Sequence, residues 1–224
     1  MRYGLVGSEM CIRDRENFFD TEELLQVKKY LLELEQNERF KDGNCLTGKE
    51  VPRKQIWFQK ENQYFCNTWK YRYPRWQSEE YTNKLDKIQE LVNQKTNSVL
   101  FECLDDYLDN NIQIPVFNSC LINLYRTGDD SIKPHRDTKD SFGTYPTISN
   151  ISIGETRIMK IKKTLYNSEG SDSLKEDNNS ELDLEFELKD NSLLIMAGAS
   201  QKYFTHEIPK AVSYTHLTLP TTSS

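Results

Sequence analysis

The sequence predicts an α+β protein in which N-terminal helices pack outside a sandwich or jelly roll of short strands. Apolar residues recur at helical spacing in the first hundred residues, whereas after Pro115 they alternate with polar residues in several short runs. A chain of 224 residues fits one domain, to which we assign residues 16–212.

Two helices are predicted before residue 100, and a third is expected to follow them. Glu23 lies three positions after Asp20, a spacing typical of a capping box, and the first helix is predicted over residues 21–38. The second is predicted over residues 79–94 and the third over residues 98–109. The apolar stripes of the first two helices comprise Leu24, Val27, Leu31, Leu34, Leu85, Ile88, Leu91 and Val92.

Short strands are predicted along the rest of the chain. In residues 117–126, Leu121, Asn123 and Tyr125 share one face of a strand, and the apolar residues between them share the other. The two strands that flank Gly154 are expected to form a tight hairpin. Further strands, some of them paired as hairpins, are predicted over residues 55–73, 147–153, 156–162, 182–188, 192–197 and 202–208.

Both ends of the chain are expected to be non-native. Residues 1–15 have no clear period or helix cap, and residues 213–224 are rich in serine and threonine. Both resemble adapter-derived sequence at the ends of genes predicted from short sequencing reads, so we expect no part of the fold there. The native chain is therefore expected to continue beyond Val212.

Charge is unevenly distributed along a chain whose formal net charge is −6. Residues 169–190 hold nine acids and two lysines, and the polar residues 166–180 predict a flexible acidic loop. Residues 49–76 instead hold seven lysines or arginines and two glutamates, with aromatic residues between them. A basic segment on an acidic protein indicates a local interaction with a negatively charged partner.

The composition also bears on the compartment. The five cysteines are scattered and form no CxxC pair, which favours a reducing, intracellular compartment over a disulfide scaffold or a zinc site. No apolar run approaches the roughly 18–20 residues that span a membrane. We therefore expect no membrane partner, and we expect a monomer.

Two of the three histidines have neighbours that indicate a metal site. His135 and Asp137 form an HxD motif after a strand-like run, and His206 follows 71 residues later in another strand-like stretch. Two histidines and one carboxylate can occupy one face of a non-haem Fe(II) and leave the other positions open. Such ligands meet if the sheet folds back on itself, as it does in a jelly roll. The third histidine, His216, lies in the excluded tail.

The spacing alone leaves two other interpretations open. An HxD motif also occurs as a surface His–Asp hydrogen bond, in which case His206 would be an ordinary core histidine. A zinc hydrolase is the other interpretation, because two histidines and one carboxylate also suit Zn²⁺.

Five blocks of residues around these positions favour the iron site. They are NLYRTG (123–128), HRD (135–137), ISIGETR (151–157), SLLIM (192–196) and HEIPK (206–210). In this order they resemble the AlkB family of Fe(II)/2-oxoglutarate-dependent dioxygenases, and PRKQ (52–55) resembles the DNA-repair branch of that family. The resemblance covers about residues 18–210.

The resemblance implies a double-stranded β-helix fold and a set of site residues. The implied iron ligands are His135, Asp137 and His206, and the implied contacts to 2-oxoglutarate are Asn123 and Tyr125, on the strand face that also carries Leu121. The implied reaction is oxidative dealkylation of N-alkylated bases in DNA or RNA. It uses Fe(II), 2-oxoglutarate and O₂, and it releases formaldehyde, succinate and CO₂.

The basic segment 49–76 is expected to be a nucleotide-recognition lid. Lysine and arginine side chains can hold phosphates, and aromatic faces can stack a flipped base. Tyr64, Tyr71 and Tyr73 lie nearest the base-contacting positions of the family, and Arg53 is expected to contact the substrate as well. Any one of the rings in the segment can instead be a core residue.

Two departures from the family pattern affect the expected activity. Lys139 stands near the HxD motif where related repair enzymes carry an acid, which leaves base recognition open, with Asp140 as an alternative acceptor. The family's last strand carries an arginine that pairs with the far carboxylate of 2-oxoglutarate, but Arg157 is the last arginine in this chain. We therefore expect the chain to bind 2-oxoglutarate weakly and to lack a core strand.

Three functions stay open from the sequence. The first is dealkylation of a nucleobase, and the second is the same oxygenase chemistry on a protein side chain. The third is a catalytically impaired module that only binds nucleic acid. They differ in whether 2-oxoglutarate turnover is stimulated by oligonucleotides, by polypeptides or by neither.

Overall fold

Antiparallel sheets and helices make up the described part of the chain in a computed structural model. The structure describes residues 10–44, 50–60, 78–104, 116–137, 142, 145–164 and 183–211. The helices are α1 (Thr21–Gln36), α2 (Asn83–Leu104) and α3 (Ser200–Tyr203). The strands are β1 (Met10–Glu16), β2 (Lys41–Asn44), β3 (Glu50–Gln59), β4 (Ser119–Leu124), β5 (Ile132–His135), β6 (Ile148–Ser152), β7 (Arg157–Lys163), β8 (Asp183–Leu188), β9 (Ser192–Gly198) and β10 (Phe204–Ile208).

The strands form three sheets, each named here by a central strand. The β9 sheet has the order β1-β9-β6, the β10 sheet has the order β5-β10-β7-β8, and the β3 sheet has the order β2-β3-β4. The β9 and β10 sheets pack face to face, because apolar residues from both sheets meet in one core cluster. Helices α1 and α2 cover the opposite face of the β9 sheet.

This layering explains why β9 is apolar throughout. Leu194 and Met196 point into the core that the two sheets share, whereas Leu193, Ile195 and Ala197 pack against the helices. A strand covered on both faces shows a continuous apolar run instead of an alternating one. In contrast, β8 has one solvated face, and the alternation predicted over residues 182–188 is confirmed in its burial pattern.

The N-terminus of α1 forms the capping box that the sequence predicts. The Asp20 carboxylate accepts a hydrogen bond of 2.9 Å from the Glu23 backbone N–H. The Glu23 carboxylate in turn accepts one of 2.8 Å from the Asp20 N–H. This exchange satisfies backbone donors that have no partner within the helix, a contribution of about 1 kcal/mol.

The helix predicted over residues 79–94 continues without a break into the described part of the one predicted over residues 98–109, as the single helix α2. The polar residues between the predicted segments include no proline or glycine, so nothing in the backbone breaks the helix there. Thr96, at this point, is fully buried and lies 3.2 Å from the Ser149 hydroxyl of β6. A polar residue that meets a polar partner does not mark a helix end.

The prediction of a tight hairpin around Gly154 is wrong. β6 pairs with β9, and β7 pairs with β8 and β10, so the chain crosses from one sheet to the other at this glycine. Gly154 has a φ of 104°, and its N–H donates to the Asp190 carboxylate at 2.8 Å. Glycine adopts this conformation without steric cost, which suits an abrupt change of direction.

Strand β1 corrects the expectation that residues 1–15 contribute nothing to the fold. It pairs antiparallel with β9 from Met10↔Gly198 to Glu16↔Ser192. The side chain of Ile12 is fully buried in the core between the two sheets. This strand could not be predicted from the sequence. Charged residues follow Ile12 directly, so the segment has no alternating apolar pattern.

The β3 sheet packs against both long helices. Ile56 and Phe58 of β3 meet Tyr30 and Leu34 of α1 in a buried cluster. Trp57 and Phe58, two aromatic residues of the basic segment 49–76, are only 5% and 0% exposed. These two rings are therefore core residues and are not available to stack a base.

Several predicted features lie outside the described residues. They are residues 61–77 of the expected lid, the acidic loop 166–180, the positions 138–140 that follow the HxD motif, and the tail 213–224 with His216.

None of the described helices is long and apolar enough to cross a membrane.

One asparagine joins the segment before α1 to the start of β9. Asn191 has a φ of 58° and is 7% exposed. Its side chain accepts a hydrogen bond from the Phe19 N–H and donates one to the Phe19 carbonyl, both at 2.8 Å. Asparagine tolerates the left-handed conformation better than other residues with a side chain, apart from aspartate.

We predict that Asn191→Ala lowers the free energy of unfolding by about 2–3 kcal/mol. The substitution leaves two buried backbone groups of Phe19 without partners and places alanine in a left-handed conformation. Urea unfolding measures the change. Asn37→Ala is the matched control, because it removes an exposed bond to the Glu33 carbonyl and should cost no more than about 0.5 kcal/mol. Equal losses in both variants would contradict the prediction.

Candidate metal centre

Strand pairing brings the two predicted histidine ligands side by side. β10 lies between β5 and β7, and His206 is the direct antiparallel partner of His135. β5 is the edge strand of its sheet, a position that tolerates Pro134, which has no N–H to donate. The register shifts between His206 and Ile208, and such irregularities commonly re-aim side chains near functional sites.

The three predicted ligands converge on one point. Their potential ligand atoms all lie within 4.8 Å of one another, the only such group found among the described residues. Nε2 of His206 is 3.8 Å from Oδ2 of Asp137. The imidazole rings of His135 and His206 have their centroids 4.2 Å apart.

The environment of His206 keeps its imidazole in the form that binds metals. Burial, together with the neighbouring His135, lowers the pKa of His206 to about 3. The ring is therefore neutral at neutral pH. Burial raises the pKa of the Asp137 carboxyl, and His135 opposes that shift. A bound cation would favour the ionised carboxylate, which is the form that coordinates it.

The orientation of His135 is set by its own strand. Its Nδ1 lies 2.9 Å from the Lys133 carbonyl oxygen. A carbonyl can only accept, so Nδ1 donates this hydrogen bond, and Nε2 is the ring nitrogen left to face a metal. A hydrogen bond of this kind from the far ring nitrogen is typical of metal-binding histidines.

The donor set fits a metal ion on one octahedral face. With metal–ligand bonds of about 2.1 Å, neighbouring ligand atoms of an octahedron lie about 3 Å apart. Side-chain rotation can close the observed separations of up to 4.8 Å, because the backbones of His135 and His206 are already paired. Two imidazoles and one carboxylate leave three positions open for other ligands.

Asn123 and Tyr125 lie beside a buried arginine. The Arg53 Nε donates to the Asn123 side-chain oxygen at 2.9 Å, and its Nη1 lies 3.5 Å from the Ser131 carbonyl. Arg157 also lies at this position, with its Cζ 5.2 Å from the centroid of the Tyr125 ring. Arg53, Asn123, Tyr125 and Arg157 are called the Arg53 cluster below.

The phenol of Tyr125 is neutral in this environment. Burial raises its pKa, and the charges of Arg53 and Arg157 partly oppose the shift. Burial also lowers the pKa of Arg53, which is 7% exposed, although a guanidinium keeps its charge at neutral pH.

Positive charge exceeds negative charge around the Arg53 cluster. The Asp130 carboxylate is already held by Arg126 through two hydrogen bonds of 2.9 Å. Nη2 of Arg157 donates to the backbone carbonyls of Asp130 and Pro209, at 2.7 Å each. No carboxylate in the described part of the chain forms an ion pair with Arg53 or Arg157. Arg53 is a buried cation without an ion-pair partner among the described carboxylates, and such a cation favours an anionic ligand.

The other predicted site residues are one leucine, one arginine and three tyrosines. Leu121 is on the same face of β4 as Asn123, but its side chain is 44% exposed. Arg53, expected to contact the substrate, is instead buried against Asn123. Tyr64, Tyr71 and Tyr73 lie outside the described residues.

Two residues missed by the sequence analysis contact the HRD segment. Gln201 accepts a hydrogen bond from the Asp137 backbone N–H at 2.9 Å. The Thr164 hydroxyl accepts one from the Arg136 guanidinium. Gln201 is 64 residues from Asp137 and Thr164 is 28 residues from Arg136, so neither forms a local motif with the HRD segment.

The site belongs to the class of two-histidine, one-carboxylate metal centres, here supported by antiparallel strands. A family model described as the 2OG-Fe(II) oxygenase superfamily matches residues 14–220. The chain therefore belongs to the 2OG-Fe(II) oxygenase superfamily. Membership of this superfamily favours iron over zinc, a choice that the sequence left open, because Fe(II) and 2-oxoglutarate define the family.

Within the superfamily the chain is AlkB-like. It is 36% identical over 94 residues to "Alpha-ketoglutarate-dependent dioxygenase alkB homolog 3" of Homo sapiens. It is 32% identical over 108 residues to "DNA oxidative demethylase ALKBH2" of Arabidopsis thaliana. Each match covers 42% of this chain but 31% and 33% of the relative, so the chain spans about a third of the length of these proteins.

A solved structure shares the fold. The structure of OsALKBH1 superposes with a TM-score of 0.58 at 16% identity, and the match covers 94% of this chain and 87% of that one. The likeness extends over nearly all of the chain, so it includes both the helices and the sheets.

We predict that His135→Ala and Asp137→Ala each abolish high-affinity binding of Co²⁺, a redox-stable substitute for Fe(II). Loss of a direct ligand should exceed the roughly 10–100-fold weakening that loss of an outer hydrogen bond causes. Calorimetric titration of the metal-free protein measures the affinity. His216→Ala is the matched histidine control and should bind Co²⁺ as the parent chain does. Retention of tight binding in His135→Ala would exclude this cluster as the metal site.

Proposed function

We propose that the protein catalyses oxidative demethylation of N-alkylated nucleobases in DNA or RNA, with Fe(II), 2-oxoglutarate and O₂. The observation that carries the proposal is the convergence of His135, Asp137 and His206. The names of the relatives support the substrate class, since one of them is a DNA oxidative demethylase.

The residues of the site would perform distinct tasks. His135, Asp137 and His206 would hold Fe(II) on one face and leave the opposite face for 2-oxoglutarate and O₂. The bound metal would supply the oxidising power that hydroxylates an N-methyl group, whose product releases formaldehyde. His206 is 7% exposed, which helps to keep water away from its side of the metal.

We also propose that the β9 and β10 sheets are the two walls of a jelly roll. Their inner faces share one core, which contains Ile12, Leu194, Ile161 and Phe204. The metal ligands lie on β5 and β10 and in the residues just after β5, in the second of these walls. A site between two sheet walls gives a small co-substrate a sheltered cavity.

The Arg53 cluster is suited to hold the far carboxylate of 2-oxoglutarate. Arg53 is buried, bonds to Asn123 and has no described carboxylate partner. A dicarboxylate would supply the anion that this cluster lacks, and a guanidinium binds a carboxylate through paired hydrogen bonds. The anchor would then come from β3 rather than from a last strand, and Arg53 would serve the co-substrate rather than the nucleic acid.

Contacts to nucleic acid would come from the rest of the basic segment. Trp57 and Phe58 are buried, which leaves the aromatic residues beyond residue 60 to stack a base. Tyr64, Tyr71 and Tyr73 are the candidates, with the lysines and arginines between them as phosphate contacts.

We predict formaldehyde release from N-methylated oligonucleotides in the presence of Fe(II), 2-oxoglutarate and O₂. Formaldehyde and succinate should form in equal amounts, because one co-substrate is consumed for each methyl group removed. His206→Ala should abolish both products, since it removes a ligand. Single-stranded DNA and RNA with several methylated bases should be compared, at 2-oxoglutarate concentrations high enough to offset weak binding.

Other outcomes would favour the other functions. Succinate formation stimulated by a polypeptide, with no response to any methylated oligonucleotide, would favour a protein substrate. Oligonucleotide binding that His135→Ala leaves unchanged, together with no turnover of 2-oxoglutarate, would favour a binding module. Either result would overturn the demethylase proposal.

We predict that Arg53→Met weakens 2-oxoglutarate binding by roughly 10–100-fold, the range expected for losing hydrogen bonds to a charged group. Binding of 2-oxopentanoate should hardly change, because this acid has the same chain length and lacks the far carboxylate. Calorimetry in the presence of Mn²⁺ measures both affinities without turnover.

Lys54→Met is the control for this test, because neighbouring residues of a strand face opposite sides. It removes a positive charge from β3 and should leave the preference for 2-oxoglutarate intact. If Arg53→Met keeps the preference and Arg157→Met removes it, the carboxylate binds to Arg157 instead of Arg53.

A further inference from the structure

The one-turn helix α3 lies between β9 and β10 and ends three residues before the ligand His206. Two of its four residues, Gln201 and Tyr203, also take part in hydrogen bonds that reach the HRD segment directly or through Thr164. The helix therefore contacts the segment that supplies the other two ligands.

The first connection is direct. The Gln201 side-chain oxygen accepts a hydrogen bond from the Asp137 backbone N–H at 2.9 Å. Asp137 lies two residues beyond the end of β5, so strand pairing does not fix its backbone. This bond holds the residue whose carboxylate must point at the metal.

The second connection runs through Thr164, which is 2% exposed. Its backbone N–H donates to the Tyr203 carbonyl at 2.8 Å, and its hydroxyl donates to the same oxygen at 3.0 Å. The hydroxyl oxygen accepts a hydrogen bond from the Arg136 guanidinium. One hydroxyl thus links α3 to the central residue of the HRD segment.

The surroundings of Gln201 argue against a purely stabilising role. The residue is 7% exposed, and its NH₂ group faces the Met196 sulfur at 3.9 Å, a weak acceptor. A buried amide with one strong hydrogen bond is costly, and an apolar side chain of similar size is often as stable in such a place. The strong bond is the one to the ligand-bearing backbone.

We infer that Gln201 and Thr164 are positioning residues, which fix the HRD segment against α3 so that His135 and Asp137 meet His206 in the metal-binding arrangement. The inference rests on the proposed metal site and deepens it. Neither residue touches the metal position, and both act through the backbone or side chain of the segment. Residues that orient metal ligands from outside commonly change metal affinity by about 10–100-fold when they are replaced.

The test measures Co²⁺ affinity in Gln201→Met and Thr164→Val. Both substitutions keep the size of the side chain and remove the polar atom. We expect each variant to bind Co²⁺ about 10–100-fold more weakly than the parent chain. The visible absorption of bound Co²⁺ should also change in intensity, because it reports the arrangement of the ligands. Thr164→Ser keeps the hydroxyl and should restore both properties.

Thr96→Val is the matched control. Thr96 is fully buried, and Thr96→Val removes one side-chain hydrogen bond, to Ser149, whereas Thr164→Val removes two. The melting temperature of Thr96→Val without metal should fall, while its Co²⁺ affinity stays at the parent value. This comparison separates a loss of stability from a loss of ligand positioning.

Three outcomes would overturn the inference or its basis. Unchanged Co²⁺ affinity in both Gln201→Met and Thr164→Val would reduce the two residues to a structural role. Equal weakening in Thr96→Val would have the same meaning. Absence of Co²⁺ binding in the parent chain would instead refute the metal site itself. If Gln201→Met does not fold without metal, the pair Thr164→Val and Thr164→Ser decides alone.

Discussion

The metal site depends on strand β10 being hydrogen-bonded on both of its edges. It pairs with β5 through His206↔His135 and with β7 through four consecutive pairs that include His206↔Ile161. A slip of one residue would turn His206 to the opposite face of the sheet and away from Asp137. Because two ladders fix the register of β10, the placement of His206 beside His135 follows from strand pairing.

Side chains from other elements hold both ends of the pair formed by β5 and β10. At one end, Arg157 donates to the carbonyls of Asp130 and Pro209, which lie just before β5 and just after β10. At the other end lies α3, where Gln201 and Thr164 connect to the HRD segment. The edge strand β5 has a ladder on one side only, so these contacts supply the restraint that a second neighbouring strand would give.

The sequence predicted those features whose cause is local. The capping box of Asp20 is a matter of residue types three positions apart, and the strict alternation of β8 reflects one solvated face. The ligand triad could be predicted because its chemistry needs particular residue types. Periodicity indicates a strand but not its partner. The sequence therefore predicts a hairpin at Gly154, whereas β6 and β7 pair with other strands. Gln201 carried no signal at all, since a glutamine gains its role only from what the fold places beside it.

The Arg53 cluster also has a role that could not be predicted from the order of residues along the chain. From the sequence, the absence of any arginine after Arg157 argues for a missing anchor, because the family pattern assigns that task to the last strand. The fold instead buries the guanidinium of Arg53 against Asn123, and no described carboxylate forms an ion pair with it. A charge requirement can be met from any strand that borders the cavity, since a carboxylate responds to the position of the guanidinium and not to its place in the chain. Under the proposed assignment of Arg53 as the anchor, the strength of 2-oxoglutarate binding depends on how well its guanidinium, bonded to Asn123, is aligned with the far carboxylate.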